Sequence, residues 1–405
     1  MIIEPVKSAS GELNAPPSKS YTHRVLFLGL LTDGVTTFEN PLKCDDTRYT
    51  LEVVREFGAE CDWERIKSDG EVDKAEIYAG ESGTTARIAL GIASLAGKRC
   101  IIDGDEGLRK RPMTPLLDAL DQLNVKIRSK NGKLPVEIEG PPSGDKVEIS
   151  GEVSSQFITA LMYVGSQIGL DIEVTDKLVS EPYIDMTIEV LERSGVKVER
   201  DDDIFHVEGK TEPAHFSIPG DYSSAAFFLA AGALFGDITM KKLLENSVQA
   251  DSRIIDILQR FCADVTAKED QIQVVKNELR GIECDCSDFP DLFPILAVLG
   301  VHSEGETLLT GEQLRYKESD RIENMTENLK KMGADIEEFE DGIKVKRSAL
   351  KGTNLDPRGD HRIAMALTIA ALGAEGKSEI VGSDCVSKSY PNFYEDLEKV
   401  INHGR

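Results

Sequence analysis

Ser18–Arg24, SKSYTHR, runs without a break into Val25–Leu31, VLFLGLL. A short hydroxyl-rich segment hands over to a stretch that is apolar on every side. This is how a buried helix begins: a side-chain oxygen caps the first backbone N–H groups, and the apolar run leaves no face for water. The junction recurs five more times. SGTTAR enters IALGIASLAG from Ser82, SSQF enters ITALMYVG from Ser154, and DYSS enters AAFFLAAGAL from Asp221. DCSDFPDL enters FPILAVLGV from Asp285, and RGDHR enters IAMALTIAAL from Arg358. Successive starts lie roughly 60–75 residues apart, beyond the roughly 20–50 of solenoid repeats. Every start carries Ser, Asp or Gly, the residues expected at an N-cap.

Behind each apolar stretch a Gly-containing turn leads to a strand candidate: TTFEN, CIIDG, DIEVT, DITMK, ETLLTG and SEIVG. An amphipathic helix is expected next, as in Thr47–Gly58 and Glu323–Gly333, and after most of these a charged hairpin such as Val196–Gly209. The unit therefore reads strand, apolar helix, strand, amphipathic helix, two strands. Three units precede Pro219-Gly220 and three follow it. A chain of 405 residues exceeds what one hydrophobic core supports, so two domains are expected. The boundaries read as 15–218 for the first, and 1–14 plus 219–405 for the second. The N-terminal strand then completes the second domain, with Ala15-Pro16-Pro17 as a linker.

The net charge of −25 disfavours nucleic acid and anionic membranes as partners. No apolar run approaches the roughly 18–20 residues of a membrane span, and the first residues lack signal-peptide character. The seven cysteines show no framework spacing, which suits a reducing cytoplasm. Cys284 and Cys286 stand too close for a zinc knuckle, and the histidines show no ligand spacing, so no metal is expected. Gly376-Lys377-Ser378 has the tail of a phosphate-binding loop without its upstream glycine.

On so acidic a chain, clustered Lys and Arg at helix starts point to anionic ligands. Lys19, Ser20 and Arg24 gather beside Ser18. Gly83 permits close backbone approach in SGTTAR, and Ser154, Ser155 and Gln156 supply neutral donors. Arg109, Lys110 and Arg111 precede Pro112, a residue suited to the first position of a helix. Asp360, His361 and Arg362 open the sixth apolar stretch, and Lys388-Ser389 lies near the C-terminus. In Gly311–Ile322, GEQLRYKESDRI, Lys317 and Arg321 stand four apart, so a helix opening here puts both on one face with Glu318 and Asp320 between. Two carboxylates stand out: Asp291 in DFPDLFP, where an apolar helix begins, and Glu318 between Lys317 and Arg321. A carboxylate kept near cations stays ionised and suits a base, whereas an acid needs a raised pKa.

Taken together, PPSKSYTHR, SGTTAR, KRPMTPLLDAL, SSQF, LVSEPYIDMT, DFPDLFP, LRYKESDRI, GDHRIAMAL and SKSYP, in this order from Pro16 to Pro391, resemble the 5-enolpyruvylshikimate-3-phosphate synthase family. The resemblance implies an α/β fold of two similar domains, each of three βαβαββ units in an inside-out α/β barrel, with the active site in the interdomain cleft. It implies transfer of the enolpyruvyl group of phosphoenolpyruvate to the 5-hydroxyl of shikimate 3-phosphate, by a cytoplasmic monomer without a cofactor. Shikimate 3-phosphate would meet Lys19, Ser20, Arg24, Ser154, Ser155, Gln156, Ser180, Tyr183, Asp291 and Lys317. Phosphoenolpyruvate would meet Lys19, Gly83, Arg111, Gln156, Lys317, Arg321, Arg362 and Lys388. Asp291 would take the hydroxyl proton and Glu318 would protonate the methylene carbon, with Lys388 the alternative donor and Lys19 assisting. Extra bulk at Gly83 would exclude an inhibitor such as glyphosate. Glu81 and Gln313 depart from the family's usual residues at those points, and Glu81 puts one phosphoenolpyruvate contact in question. The sister enzyme acting on a UDP-amino sugar carries a Lys-Asn pair and a loop Cys, which this chain lacks. A non-catalytic phosphometabolite-binding protein of the same fold would not need Asp291 and Glu318 together.

Overall fold

The computed structural model describes residues 1–402. Six helices lie at the predicted junctions: Lys19–Leu30, Gly83–Leu95, Ser155–Ile168, Tyr222–Phe235, Phe293–His302 and His361–Leu372. They have almost no wet face. Every residue from Tyr222 to Leu234, from Phe293 to Val301 and from His361 to Leu372 is buried. Each large apolar side chain enclosed in this way contributes about 1.5–3 kcal/mol, so the helices form the centre of the fold and the sheets its outer layer. Strands alternate buried and exposed residues accordingly, as in Lys133–Glu139. Between the Gly83–Leu95 and Ser155–Ile168 helices the backbones meet at Gly91, where a Cβ would lie 2.9 Å from the Ala160 carbonyl oxygen.

Five of the six starts are capped by a side chain: Ser18, Ser82, Ser154, Asp221 and Asp360 each accept a backbone N–H of the first turn. At the fifth junction the helix starts with the apolar run, at Phe293, but lacks the expected side-chain cap. Asp285 instead accepts from the amide and hydroxyl of Ser287, and the first turn carries Pro294, which has no N–H and so needs no acceptor.

The chain divides into two compact units, Pro17–Ile218 and Met1–Pro16 with Pro219–Arg405, each with its own hydrophobic core. In the first, three four-stranded sheets repeat one pattern. Glu76–Tyr78 runs parallel to Arg99–Asp103, which is antiparallel to Lys133–Glu139, itself hairpinned to Lys126–Lys130. Lys146–Ile149 opens the next sheet in the same way. The sheet holding Asp33–Glu39 takes its opening strand from the far end of the unit, His215–Ser217. In the second unit the N-terminal strand Ser8–Asn14 lies parallel to Gly236–Lys241, a separation of more than two hundred residues. Ile2–Ile3 closes the last sheet antiparallel to Ser378–Ile380. Among the described residues no helix is long and apolar enough to cross a membrane.

Candidate active site

Two groups of polar residues sit at the starts of the apolar helices, one group in each unit.

In Pro17–Ile218, Ser18 accepts the Tyr21 amide and so sets the first turn that carries Lys19 and Ser20. Lys19 Nζ is 2.9 Å from Asp46 Oδ2, a partner supplied by the Asp45–Glu56 helix. Arg24, one turn on, is buried. Its Nε donates to Thr187 Oγ1 at 2.9 Å, Nη1 to the Ser20 carbonyl at 3.0 Å and Nη2 to the Tyr183 carbonyl at 2.6 Å. Most of its donors are thus committed to fixing Ser20 and Tyr183, and burial holds its acidity above that of a free guanidinium. Ser180, at φ +57°, begins the turn that brings Tyr183 there, and its carbonyl accepts the Tyr183 amide.

The second and third helix starts converge. Arg87 Nη1 donates to Ser154 Oγ at 3.2 Å and to Gln156 Oε1 at 2.8 Å, while Gln156 Nε2 donates to Thr84 Oγ1 at 3.0 Å. A Cβ on Gly83 would stand 2.7 Å from Arg111 Nη1 and 3.9 Å from Gln156 Oε1, so Gly83, Arg111 and Gln156 share one spot. Ser155 is buried as the first residue of its helix. Arg111 reaches this place from a loop, not a helix start. Pro112 lies outside helix, and the next helix is Thr114–Gln122 with Pro115 in its first turn. Arg109 and Lys110 point elsewhere, pairing with Asp103 and Glu106.

In the other unit the centre is Arg321, fully buried. Nε lies 3.0 Å from Asp360 Oδ2, Nη1 2.7 Å from Asp291 Oδ1 and 2.9 Å from the Pro290 carbonyl, and Nη2 2.8 Å from Glu318 Oε2. Burial opposes its charge, but Asp360, Asp291 and Glu318 more than reverse that and raise its pKa further. Arg362 Nη2 sits 3.1 Å from Asp291 Oδ2, so Asp291 bridges two guanidiniums. Lys388 Nζ donates to the Gly359 carbonyl at 2.8 Å, one residue from Asp360.

The helix does not open at Lys317, contrary to the spacing. Asp320 accepts the Glu323 amide at 3.0 Å and is the N-cap of Arg321–Lys331. Lys317 instead ends a short 3₁₀ turn in extended conformation, so it and Arg321 share no helical face. An aspartate cap outcompetes the longer helix that the charge spacing allows.

Sequence reasoning passed over three residues. Asp46 and Arg87 hold predicted contacts from distant positions, and no local pattern marks them. Asp251 is buried, accepts the Ser223 hydroxyl and senses both Asp291 and Arg362. Burial pushes its carboxyl up to about 7, with the Asp291 charge adding to the rise and Ser223 and Arg362 opposing it. A carboxyl raised above its unfolded value of 3.8 contributes most stability below that pH and loses it as pH rises through about 7. Asp251→Asn should therefore remove a decline of up to about 1.4 kcal/mol per pH unit across this window. Urea unfolding of both proteins at several pH values checks this, and parallel curves would contradict it.

A sequence model described as EPSP synthase (3-phosphoshikimate 1-carboxyvinyltransferase) matches residues 3–397. A 3-phosphoshikimate 1-carboxyvinyltransferase from Thermococcus kodakarensis is 45% identical over 401 residues, covering 99% of this chain and 100% of that one. Its counterpart from Pyrococcus abyssi is 46% identical over 405 residues, covering 100% and 98%. The solved structure of EPSP synthase from Acinetobacter baumannii superposes with a TM-score of 0.83 at 27% identity, covering 99% of this chain and 97% of that one.

Proposed function

The chain belongs to the EPSP synthase (3-phosphoshikimate 1-carboxyvinyltransferase) family, and from that premise we propose how its residues carry out carboxyvinyl transfer. The enolpyruvyl group of phosphoenolpyruvate moves to the 5-hydroxyl of shikimate 3-phosphate, and phosphate leaves. The observation that carries this reading is Asp291 held between Arg321 and Arg362, a carboxylate base inside an anion-binding pair.

Lys19, Ser20, Arg24, Ser154, Ser155, Gln156, Ser180 and Tyr183, with Lys317, hold shikimate 3-phosphate. Gly83, Arg111, Gln156, Arg321, Arg362 and Lys388 hold phosphoenolpyruvate, and Lys19 serves both. The guanidiniums keep Asp291 ionised until phosphoenolpyruvate offers them other oxygens, which frees Asp291 to take the 5-hydroxyl proton. Protonation of the methylene carbon builds positive charge on the adjacent carbon, the 5-oxygen bonds there, and nearby carboxylates stabilise the developing charge. Loss of a methyl proton and of phosphate then restores the double bond. Glu318 is the proton donor we assign. Its pairing with Arg321 favours the ionised form, so it becomes an acid only when substrate anions offset that guanidinium. Lys388 is the alternative donor. Side-chain cations neutralise the substrates, so we assign no metal or organic cofactor, and we place the enzyme in the cytoplasm as a monomer.

Purified protein given both substrates, without added metal or nucleotide, should release phosphate only when both are present, and Lys19→Ala should abolish release. Release with a UDP-amino sugar in place of shikimate 3-phosphate would assign the sister reaction. Binding of both ligands without release would leave a binding protein.

Gly83→Ala places a methyl 2.7 Å from Arg111 Nη1, whose flexible end must retreat. The expected result is a KM for phosphoenolpyruvate raised about tenfold and weaker inhibition by glyphosate, as for the loss of one charged hydrogen bond. Equal inhibition of both proteins would place the contact elsewhere.

A further inference from the structure

We propose that His23 is a positioning residue for phosphoenolpyruvate: its imidazole, acting through the Thr50 and Thr85 hydroxyls, fixes the 82–83 turn and the backbone beside the Asp46–Lys19 pair. This rests on assigning Gly83 to that substrate and Lys19 to both.

His23 follows Lys19 by one helical turn and is fully buried. Its Nδ1 is 2.6 Å from Thr50 Oγ1, which is 2.7 Å from Thr85 Oγ1, which is 2.7 Å from Ser82 Oγ. Thr85 Oγ1 also lies 3.4 Å from the Asp46 carbonyl oxygen. The chain links three helices, Lys19–Leu30, Asp45–Glu56 and Gly83–Leu95, and each of its members is buried. Its two ends are the features the reaction needs held still. Ser82 caps the helix that starts at Gly83, and Asp46 is the partner of Lys19.

The imidazole gives the chain its direction. Among the described residues Nε2 has no hydrogen-bond partner. A buried N–H without an acceptor costs more than a bare ring nitrogen, so the single proton belongs on Nδ1. Nδ1 then donates to Thr50 and Thr50 to Thr85, whose single proton goes to the Asp46 carbonyl, while the Ser82 hydroxyl donates to Thr85 and accepts the Thr85 amide. A charged imidazole would put a second proton on Nε2. Burial, followed by the positive charges of Lys19 and Arg24, the charged groups facing it, holds the ring neutral. A misplaced turn of even about 1 Å is costly to a bound reactant, and so a buried chain with no substrate contact bears on KM.

Thr50→Val and Thr85→Val remove one hydroxyl at nearly constant volume, His23→Leu removes the ring nitrogen, and His23→Asn returns a polar atom near Nδ1. Thr50→Val, Thr85→Val and His23→Leu should each raise the KM for phosphoenolpyruvate about tenfold, the effect of one broken buried hydrogen bond, and that for shikimate 3-phosphate less. His23→Asn should recover most of the loss, and the Thr50→Val/His23→Leu double variant should be no worse than either single one. Unchanged KM values in Thr50→Val and Thr85→Val, measured with active wild-type protein, overturn the proposal. So do equal rises for both substrates, or additive effects in the double variant. If His23→Leu does not fold, the two valine variants decide. Wild-type protein that releases no phosphate would instead overturn the functional assignment.

Discussion

Asp291→Asn should lower turnover by about 10²–10⁴-fold, the usual range for a lost general base. The substitution keeps shape and leaves an oxygen to face one guanidinium, so binding should change far less than kcat. Stability should hold too, because Arg321 retains Asp360 and Glu318. The measurement is steady-state phosphate release with both substrates saturating, alongside thermal unfolding. Near-normal turnover would remove Asp291 from the role of base. Glu318→Gln is the companion experiment. It should cost about 10²-fold if Glu318 donates the proton, and turnover close to wild type would pass that role to Lys388.

Arg321→Ala should be the most destabilising change in the site, by about 3–5 kcal/mol. Arg321 is fully buried and meets three carboxylates, of which Asp360 is also wholly enclosed. Without the guanidinium, Asp360 is left as a buried charge at the helix start it caps, and Asp291 keeps its pair with Arg362. Urea unfolding should show a lower midpoint with an unchanged slope. Arg321→Lys keeps the charge but cannot fork to three acceptors, so it should fall between the two. A loss below about 1 kcal/mol in Arg321→Ala would mean that the carboxylates find other partners or protonate without difficulty.

The repeat was legible because it is written locally. An apolar helix such as Tyr222–Phe235 and its Asp221 cap are neighbours in the chain, and burial on all sides leaves a continuous apolar run. The chemistry at helix starts was legible for the same reason. Where a local rule had a rival it was misread. Asp320 took the cap that the Lys317–Arg321 spacing ignores, and Pro112 yielded the helix start to Thr114 and Pro115. Residues whose importance comes from distant partners left no trace in spacing. Asp46 reaches Lys19 from a second helix, Arg87 reaches across to Ser154 and Gln156, and Asp251 owes its altered carboxyl to enclosure near Asp291. Such pairings are created by the packing of helices that are themselves readable.

Ser8–Asn14 leaves the ribosome more than two hundred residues ahead of the strand it lies parallel to, Gly236–Lys241. At roughly 5–20 residues per second, the wait is on the order of 10–45 s. During that time the whole of Pro17–Ile218 is synthesised, while the earlier segment waits with its N–H and C=O groups unpaired by that strand. The order of manufacture thus runs against the order of assembly, and this is the interval in which a nascent chain is most open to a strand from another molecule. Its glycine, Gly11, and charged Glu12 make it a poor template for foreign strands, and that suits a segment obliged to wait.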